Sequence, residues 1–205
     1  MMRPLADYRV TGLATPGVSG DWSVTRFTVS AKDEELGRLT SIFGGSGRYV
    51  PAGDYTALKH GRGTIMSDTP DEIRDLRPLF TRASGDVLIA GLGLGVAARG
   101  VMLNEDVKLV TVIEKSPDVI ALTQPWLAAF AADRGVSLLI LEDDILSWRP
   151  SRGIRYTCAW FDIWNAISTD NLTEMAKLHR AFARRVDWYG SWSQHQCQRL
   201  QKRGW

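Results

Sequence analysis

The chain predicts an α/β fold: a doubly wound, mostly parallel sheet, shortened at its C-terminal end, with a small β region in front of it. Three observations carry that expectation. Apolar runs that do not alternate, at 86–90, 107–113, 136–141 and 156–161, are separated by helical patterns. Such runs mark strands buried on both faces and joined by crossover helices. A glycine-rich turn, Gly91-Leu92-Gly93-Leu94-Gly95, directly follows the first run. Acids then close the next strands: Glu114, Asp143 with Asp144, and Asp162. All of them fall at the carboxyl edge, where open sheets of this kind bind ligands.

Taken in order, residues 1–66 read as a β-rich region and 67–205 as the α/β domain. Ser23–Val29 alternates as a half-buried strand does, and Tyr55–Leu58 and Thr64–Met66 are shorter strand candidates. Gly44-Gly45-Ser46-Gly47 and Pro51-Ala52-Gly53-Asp54 are turn signals. Thr69 with Pro70, Asp71 and Glu72 opens a helix expected to run to about Arg82, although Ser67 and Asp68 just before it also suit the rim of a ligand site. A helix over about 95–104 follows the glycine turn. Ser116-Pro117 starts the next helix, which Pro125 should kink or divide. Thr169-Asp170-Asn171 should cap a helix to about Arg185, with Leu172, Met175, His179 and Phe182 on one face. Beyond Arg185 there is room for one short strand and one helix, which shortens the sheet to about five strands.

Bulk composition narrows the function classes. The chain has 205 residues, 44% hydrophobic and 23% charged, with a net charge of +2. That balance does not argue for nucleic-acid binding over the whole surface, and it does not exclude it. The late basic residues, Lys177, Arg180, Arg184, Arg185, Arg199, Lys202 and Arg203, read first as solvated helix faces. No apolar run approaches membrane-spanning length, and Met1-Met2-Arg3-Pro4-Leu5 does not open a secretory signal. The two cysteines, Cys158 and Cys197, make no disulfide or metal framework, so the cytoplasm is the default compartment. No histidine among His60, His179 and His195 pairs with a nucleophile. The late tryptophans, Trp188, Trp192 and Trp205, read as core or as a contact between copies in a homo-oligomer.

The glycine spacing discriminates between cofactors. The NAD fingerprint needs a third small residue where this chain has Val96; the pattern here is Gly91-x-Gly93-x-Gly95. Glycines let the backbone turn sharply and approach a ligand, and the helix behind them favours a polar or anionic group. Glu114 is placed to accept hydrogen bonds from two ribose hydroxyls and would repel a 2′-phosphate, which disfavours NADP. A carboxylate in Glu142-Asp143-Asp144-Ile145 can accept from an adenine amino group, with the apolar residue against the ring.

Together, Gly91-Leu92-Gly93-Leu94-Gly95, Val112-Ile113-Glu114, Asp143-Asp144-Ile145 and Trp160-Phe161-Asp162 resemble the successive cofactor motifs of class I S-adenosylmethionine-dependent methyltransferases. The wording around Val87–Gly95 and Val112–Ile120 resembles the spermidine-synthase-like branch. Asp162-Ile163-Trp164 with Asp170-Asn171-Leu172 resembles uncharacterised phage-type methyltransferases. The likeness covers about residues 64–192 and implies a Rossmann-like fold with S-adenosyl-L-methionine as cofactor.

By that resemblance, Gly91, Leu92, Gly93 and Gly95 approach the methionine and ribose portions, and Glu114, with Lys115 beside it, holds the ribose. Asp144 or Asp143 faces adenine, and Ile145 packs on it. Asp162 lies nearest the reacting centre, both as the catalytic residue and as a cofactor contact that orients the methionine amino group or the acceptor, with Trp164 and Asn165 toward the acceptor and no metal. Two departures count. Ile89 stands where many methyltransferases carry an acid, and Asn165 stands where aminopropyltransferases carry the second Asp of D-x-x-D. Methyl transfer to an unnamed small or macromolecular acceptor is therefore the leading expectation. Polyamine-type aminopropyl transfer and a non-catalytic S-adenosyl-binding or regulatory module are its rivals.

Overall fold

The computed structural model describes residues 3–43 and 49–204. The expected Gly44–Gly47 turn, Met1-Met2 and Trp205 lie outside the described residues. A first sheet is antiparallel and carries β1 (Gly17–Ser19), β2 (Trp22–Val29), β3 (Gly53–His60) and β4 (Gly63–Ser67) in that order. Between β2 and β3 runs α1 (Ala31–Phe43). The second sheet is fully parallel. Its strands are β5 (Gly85–Ala90), β6 (Val107–Glu114), β7 (Ser137–Glu142), β8 (Tyr156–Phe161) and β9 (Val186–Ser191), in spatial order β7-β6-β5-β8-β9. Its helices are α2 (Pro70–Asp75), α3 (Arg77–Arg82), α4 (Val96–Met102), α5 (Pro117–Arg134), α6 (Asn171–Phe182) and α7 (Gln194–Lys202). Strand order reverses between β5 and β8. The connections leaving those two strands part there and open a crevice at the carboxyl edge.

The lack of alternation in the core strands has its cause in two-sided burial. Val87 and Ile89 of β5 pack with Leu79, Val101 and Leu127 on one face. Leu88 and Ala90 of the same strand pack with Leu178 and Phe182 on the other. The antiparallel sheet is not a detached appendage: Val24 and Leu58 belong to the first of these clusters. Asp68 fastens the join. Its Oδ2 accepts the backbone N–H of Val10 (3.0 Å) and of Thr11 (2.7 Å) and the Thr11 hydroxyl (2.7 Å), while Oδ1 accepts the Thr56 N–H (2.7 Å). Ser19 Oγ donates to Asp118 Oδ1 of α5 at 2.7 Å and ties β1 to the same helix face.

Several expectations need correction. The helix foreseen from Thr69 to Arg82 is two short helices meeting at Leu76. Pro78 has no N–H to offer the preceding turn, and its ring crowds the carbonyl four residues back. Thr69 makes no side-chain cap bond. Ser67 and Glu72 close that turn instead: Glu72 Oε2 accepts the Ser67 N–H (2.7 Å) and Oε1 its hydroxyl (2.6 Å). Pro125 does not divide α5, which runs unbroken over 18 residues. Pro125 is exposed, while Val119, Thr123, Leu127 and Ala131 continue a buried stripe past it, so packing outweighs the lost hydrogen bond. The helix foreseen to Arg185 stops at Phe182, and Asp170 makes no side-chain cap bond. The sequence reading had no helix at α1, whose apolar Leu36, Leu39 and Ile42 are exposed. Its signal was the reciprocal cap, in which Asp33 N–H donates to Ser30 Oγ and Ser30 N–H to Asp33 Oδ2, both at 3.2 Å.

Candidate functional site

The glycine turn takes its form from backbone crowding. Gly91 has φ of +94°, and a Cβ there would run into the carbonyl oxygen of Asp162. The first β-turn residue must therefore be glycine for β5 and β8 to lie side by side at their ends, where Asp162 N–H donates to Ala90 O at 2.8 Å. Gly93 has φ of +49° and faces the cleft, with the Met66 thioether where its Cβ would stand. Leu94 N–H donates to Met66 Sδ at 3.1 Å. Gly95 caps α4 and is turned toward Trp126 and Thr123 of α5, outside the cleft lining.

Beyond the turn, β6 delivers Glu114 to the cleft. Its Oε2 accepts the Leu92 N–H and its Oε1 the Ser116 N–H, each at 2.8 Å. Both oxygens are thereby fixed in place, and each keeps a lone pair for a further donor. One strand on, Asp143 N–H donates to the Glu114 carbonyl at 3.0 Å. Asp144 Oδ1 accepts the Leu146 N–H at 2.9 Å, and Asp143 Oδ1 the Asp144 N–H at 2.7 Å. Both acids are exposed, and Ile145 between them and the core is buried.

These residues line one cleft of about 280 Å³. Gly91, Leu92, Gly93, Glu114, Lys115, Asp143, Asp144 and Ile145 border it, as do Asp162, Trp164 and Asn165. The strand order divides it. Glu114 and the Asp143-Asp144 pair stand on the β6–β7 side, Asp162 and Trp164 on the β8–β9 side. Asp162 is partly buried on that floor. Burial pushes its carboxyl up to about 7, Trp160's indole N–H draws it part of the way back, and Glu72 and Asp75 push it further up. That indole N–H has no acceptor of good hydrogen-bond geometry. Trp164 Nε1 donates to Glu174 Oε2 at 2.8 Å, which sets the ring's orientation.

Sequence reading passed over part of this lining. Met66, Ile65 and Trp22 come from the antiparallel sheet, Glu72 from α2, Glu174 from α6 and Trp192 from the end of β9. Glu72 had been noted only as an acid in a first helical turn, yet it is half-buried with its carboxyl raised by burial. Ser67 borders the cleft, whereas Asp68 is fully buried behind it. Against the expectation that no histidine pairs with a nucleophile, His179 meets Ser191 Oγ at 2.9 Å, but neither residue lines the cleft; nor does Trp188, which stacks on Trp160. The Cys158 thiol is buried in β8 and pushed up to about 12, which makes it inert.

No protein-family model matches the chain, and no curated protein matches it. Among solved structures, it resembles the 23S rRNA methyltransferase ErmE at 18% identity and a TM-score of 0.41, over 58% of this chain and 43% of that one. It resembles the StiE O-MT segment (residues 961–1257) at 15% identity and a TM-score of 0.43, over 72% of this chain and 47% of that one. The glycopeptide N-methyltransferase MtfA, complexed with S-adenosyl-L-methionine, matches at 21% identity and a TM-score of 0.38, over 55% and 45%. The chain thus spans less than half the length of each. At these TM-scores the likeness decides nothing about chemistry, which has to come from the cleft's own residues.

Proposed function

We propose that the chain binds an S-adenosyl ligand in this cleft and transfers the methyl group of S-adenosyl-L-methionine to an acceptor beside Asp162. The observation that carries the reading is Glu114. Its carboxylate is held at the end of β6 by two backbone N–H groups, 2.8 Å from each, and borders the cleft beside the glycine turn. A vicinal diol is a fitting partner for two fixed oxygens with spare lone pairs. The rest of the donor set fits as well. Asp144 or Asp143 accepts from an adenine amino group, and Ile145 offers an apolar surface to the ring.

The bound sulfonium supplies an electrophilic methyl group. The chain's task is to hold the nucleoside, align the acceptor and exclude water. Asp162, with its carboxyl raised toward 7, is suited to receive a proton from the acceptor near neutral pH. Residues 1–66 supply one wall as a small β region ahead of the ligand-binding domain of residues 67–205. The motif wording supports the spermidine-synthase-like branch, whereas Asn165, which cannot act as a base, favours methyl over aminopropyl transfer. The free, buried Cys158 and Cys197 suit a reducing, cytoplasmic setting.

Calorimetric titration with S-adenosyl-L-methionine and with S-adenosylhomocysteine tests the reading. Saturable one-site binding of at least one, weakened in Glu114→Ala, is expected. Absence of binding by both overturns it. Binding without transfer to any offered acceptor would leave the chain a non-catalytic S-adenosyl module.

A further inference from the structure

We propose that α6, the turn after it and the segment of residues 149–155 form a docking surface for the phosphate backbone of a single-stranded nucleic acid. The docked strand offers a base to the cleft, which makes it the class of methyl acceptor. The inference rests on the S-adenosyl reading for its methyl donor, but docking itself is tested without that donor.

The argument starts from an uneven charge. The connection over residues 145–155 holds Arg149, Arg152 and Arg155 and no acid. Residues 173–187 hold Lys177, Arg180, Arg184 and Arg185 against two acids, Glu174 and Asp187. The whole chain is only +2, so everything outside these two stretches is net acidic. Neither acid neutralises the group. Asp187 is taken by Arg155 at 2.7 Å, and Glu174 faces the cleft, where it accepts the Trp164 indole N–H. Among the described residues, the other six cations form no ion pair. All but the partly buried Arg185 are exposed.

Hydrogen bonds draw the two stretches into one surface. Arg155 Nη1 donates to Arg184 O at 2.7 Å, and Arg185 Nη1 to Ser151 O at 3.0 Å. Arg149 Nη1 donates to Ile145 O and Leu146 O, each at 3.2 Å, and its guanidinium lies 5.5 Å from the ring centre of Phe182, the last residue of α6. These bonds fix the guanidiniums of Arg149 and Arg185 through one nitrogen each. The remaining N–H groups are left for an anion, and guanidinium forks suit phosphate oxygens. Lys177 and Arg180, three residues apart, continue the surface up the outer side of α6. The exposed positions of that helix include no bulky apolar side chain, which a lipid surface requires beside its cations.

The cleft supplies the second half of the argument. Its β8–β9 side carries Asp162, with Glu174 from α6 and Glu72 from α2. An anionic group is repelled there, and an uncharged planar base is not. Trp164, its ring oriented by Glu174, borders the same side and offers a stacking face. α6 joins the two regions: Glu174 in its first turn lines the cleft, and the arginines gather at its far end. Its 12 residues span about 18 Å, more than one phosphate group covers. An acceptor that is uncharged in the cleft and repeatedly anionic along α6 is a nucleic acid strand. A single strand meets this demand without the cost of unpairing a base.

The test measures fluorescence anisotropy of labelled single-stranded RNA and DNA 12-mers on the full chain, at about 50 and 200 mM salt. Saturable binding is expected, and Lys177→Ala/Arg180→Ala/Arg184→Ala should weaken it about tenfold or more and flatten its salt slope by about 2. Lys32→Ala/Arg38→Ala/Arg62→Ala removes as much charge elsewhere and should change affinity less than about threefold. The docking variant should keep its S-adenosylhomocysteine affinity within about threefold. Trp164→Ala should weaken the 12-mers about fivefold or more and leave binding of inorganic polyphosphate, which has no bases, unchanged. No binding of either 12-mer at the lower salt overturns the proposal, as do equal losses in the two triple variants. Binding only to vesicles containing phosphatidylserine overturns it in favour of a lipid surface. Unchanged 12-mer affinity in Trp164→Ala overturns the strand's assignment as acceptor. If circular dichroism shows the docking variant unfolded, the unaltered chain decides, and a salt slope flatter than about −2 overturns the surface. Failure of S-adenosylhomocysteine to bind overturns the methyl-donor reading alone, because the 12-mers report on docking in its absence.

Discussion

The α-carbon of Gly91 lies against the carbonyl oxygen of Asp162, leaving no room for a Cβ. The obstacle is backbone, and φ at Gly91 is +94°, so Gly91→Ala must push β5 and β8 apart at the edge that holds Asp162. At Gly93 the obstacle is the flexible end of Met66, and φ of +49° lies in a region other residues can enter at modest cost. Gly91→Ala should cost about 3 kcal/mol or more in urea unfolding and Gly93→Ala about 1–2 kcal/mol. Shortening the obstacle in Met66→Ala/Gly93→Ala should recover part of the second loss. Equal costs at both glycines would refute the crowding argument.

Glu114 joins the glycine turn to the end of β6 through Leu92 N–H and caps Ser116 N–H with its other oxygen. Glu114→Ala leaves both donors to water and removes the acceptor offered to the ribose. The expected loss is roughly 1–3 kcal/mol in S-adenosylhomocysteine affinity, with only a small fall in melting temperature because Glu114 is partly exposed and its donors can turn to solvent. Glu114→Gln should fall between, since its amide retains one acceptor and turns an N–H₂ toward a backbone donor. Calorimetry on the three proteins checks the order.

The parallel sheet and its carboxyl-edge acids were legible because two-sided burial writes continuous apolar runs and the acids end them. Glu114, Asp144 and Asp162 fall on successive strands of one edge for that reason. The acceptor end was not legible. Glu72, Met66 and Trp192 reach the cleft through packing between elements far apart in the chain, and a first-turn acid or a late tryptophan carries no local sign of that destination. Pro78 and Pro125 show the same limit: one breaks a helix and the other does not, and the buried stripe of α5 makes the difference.

Asp68 offers a test of the join between the two sheets. It is fully buried and accepts from Val10 N–H, Thr11 N–H, the Thr11 hydroxyl and Thr56 N–H. Those donors repay the desolvation of the charge, which otherwise makes a buried carboxylate costly. Asp68→Asn replaces one oxygen by an N–H₂ that faces a backbone donor. It should cost about 2–4 kcal/mol, and Asp68→Ala at least as much, in urea unfolding. Since Met66 and Ser67 lie just before Asp68 and border the cleft, the weakened join should also lower S-adenosylhomocysteine affinity. A loss of under about 1 kcal/mol would mean that the four donors find water instead.

Asp162 makes stability depend on pH. Its carboxyl holds its proton up to about 7 in the folded chain, against an ordinary value of 3.8. Between those values the folded state binds more protons than the unfolded state. The contribution is therefore fully present below about pH 4 and is lost as pH rises toward 7, levelling beyond it. Asp162→Asn cannot titrate, so its melting temperature relative to the unaltered chain should climb from about pH 4 to about pH 7 and then stay constant. Glu72 and Asp75 oppose ionisation of Asp162 and Trp160's indole favours it, so Glu72→Gln should move the climb to lower pH. A melting-temperature difference that stays flat across this range would show that Asp162 ionises as an ordinary surface acid, and would remove its candidacy as the proton acceptor.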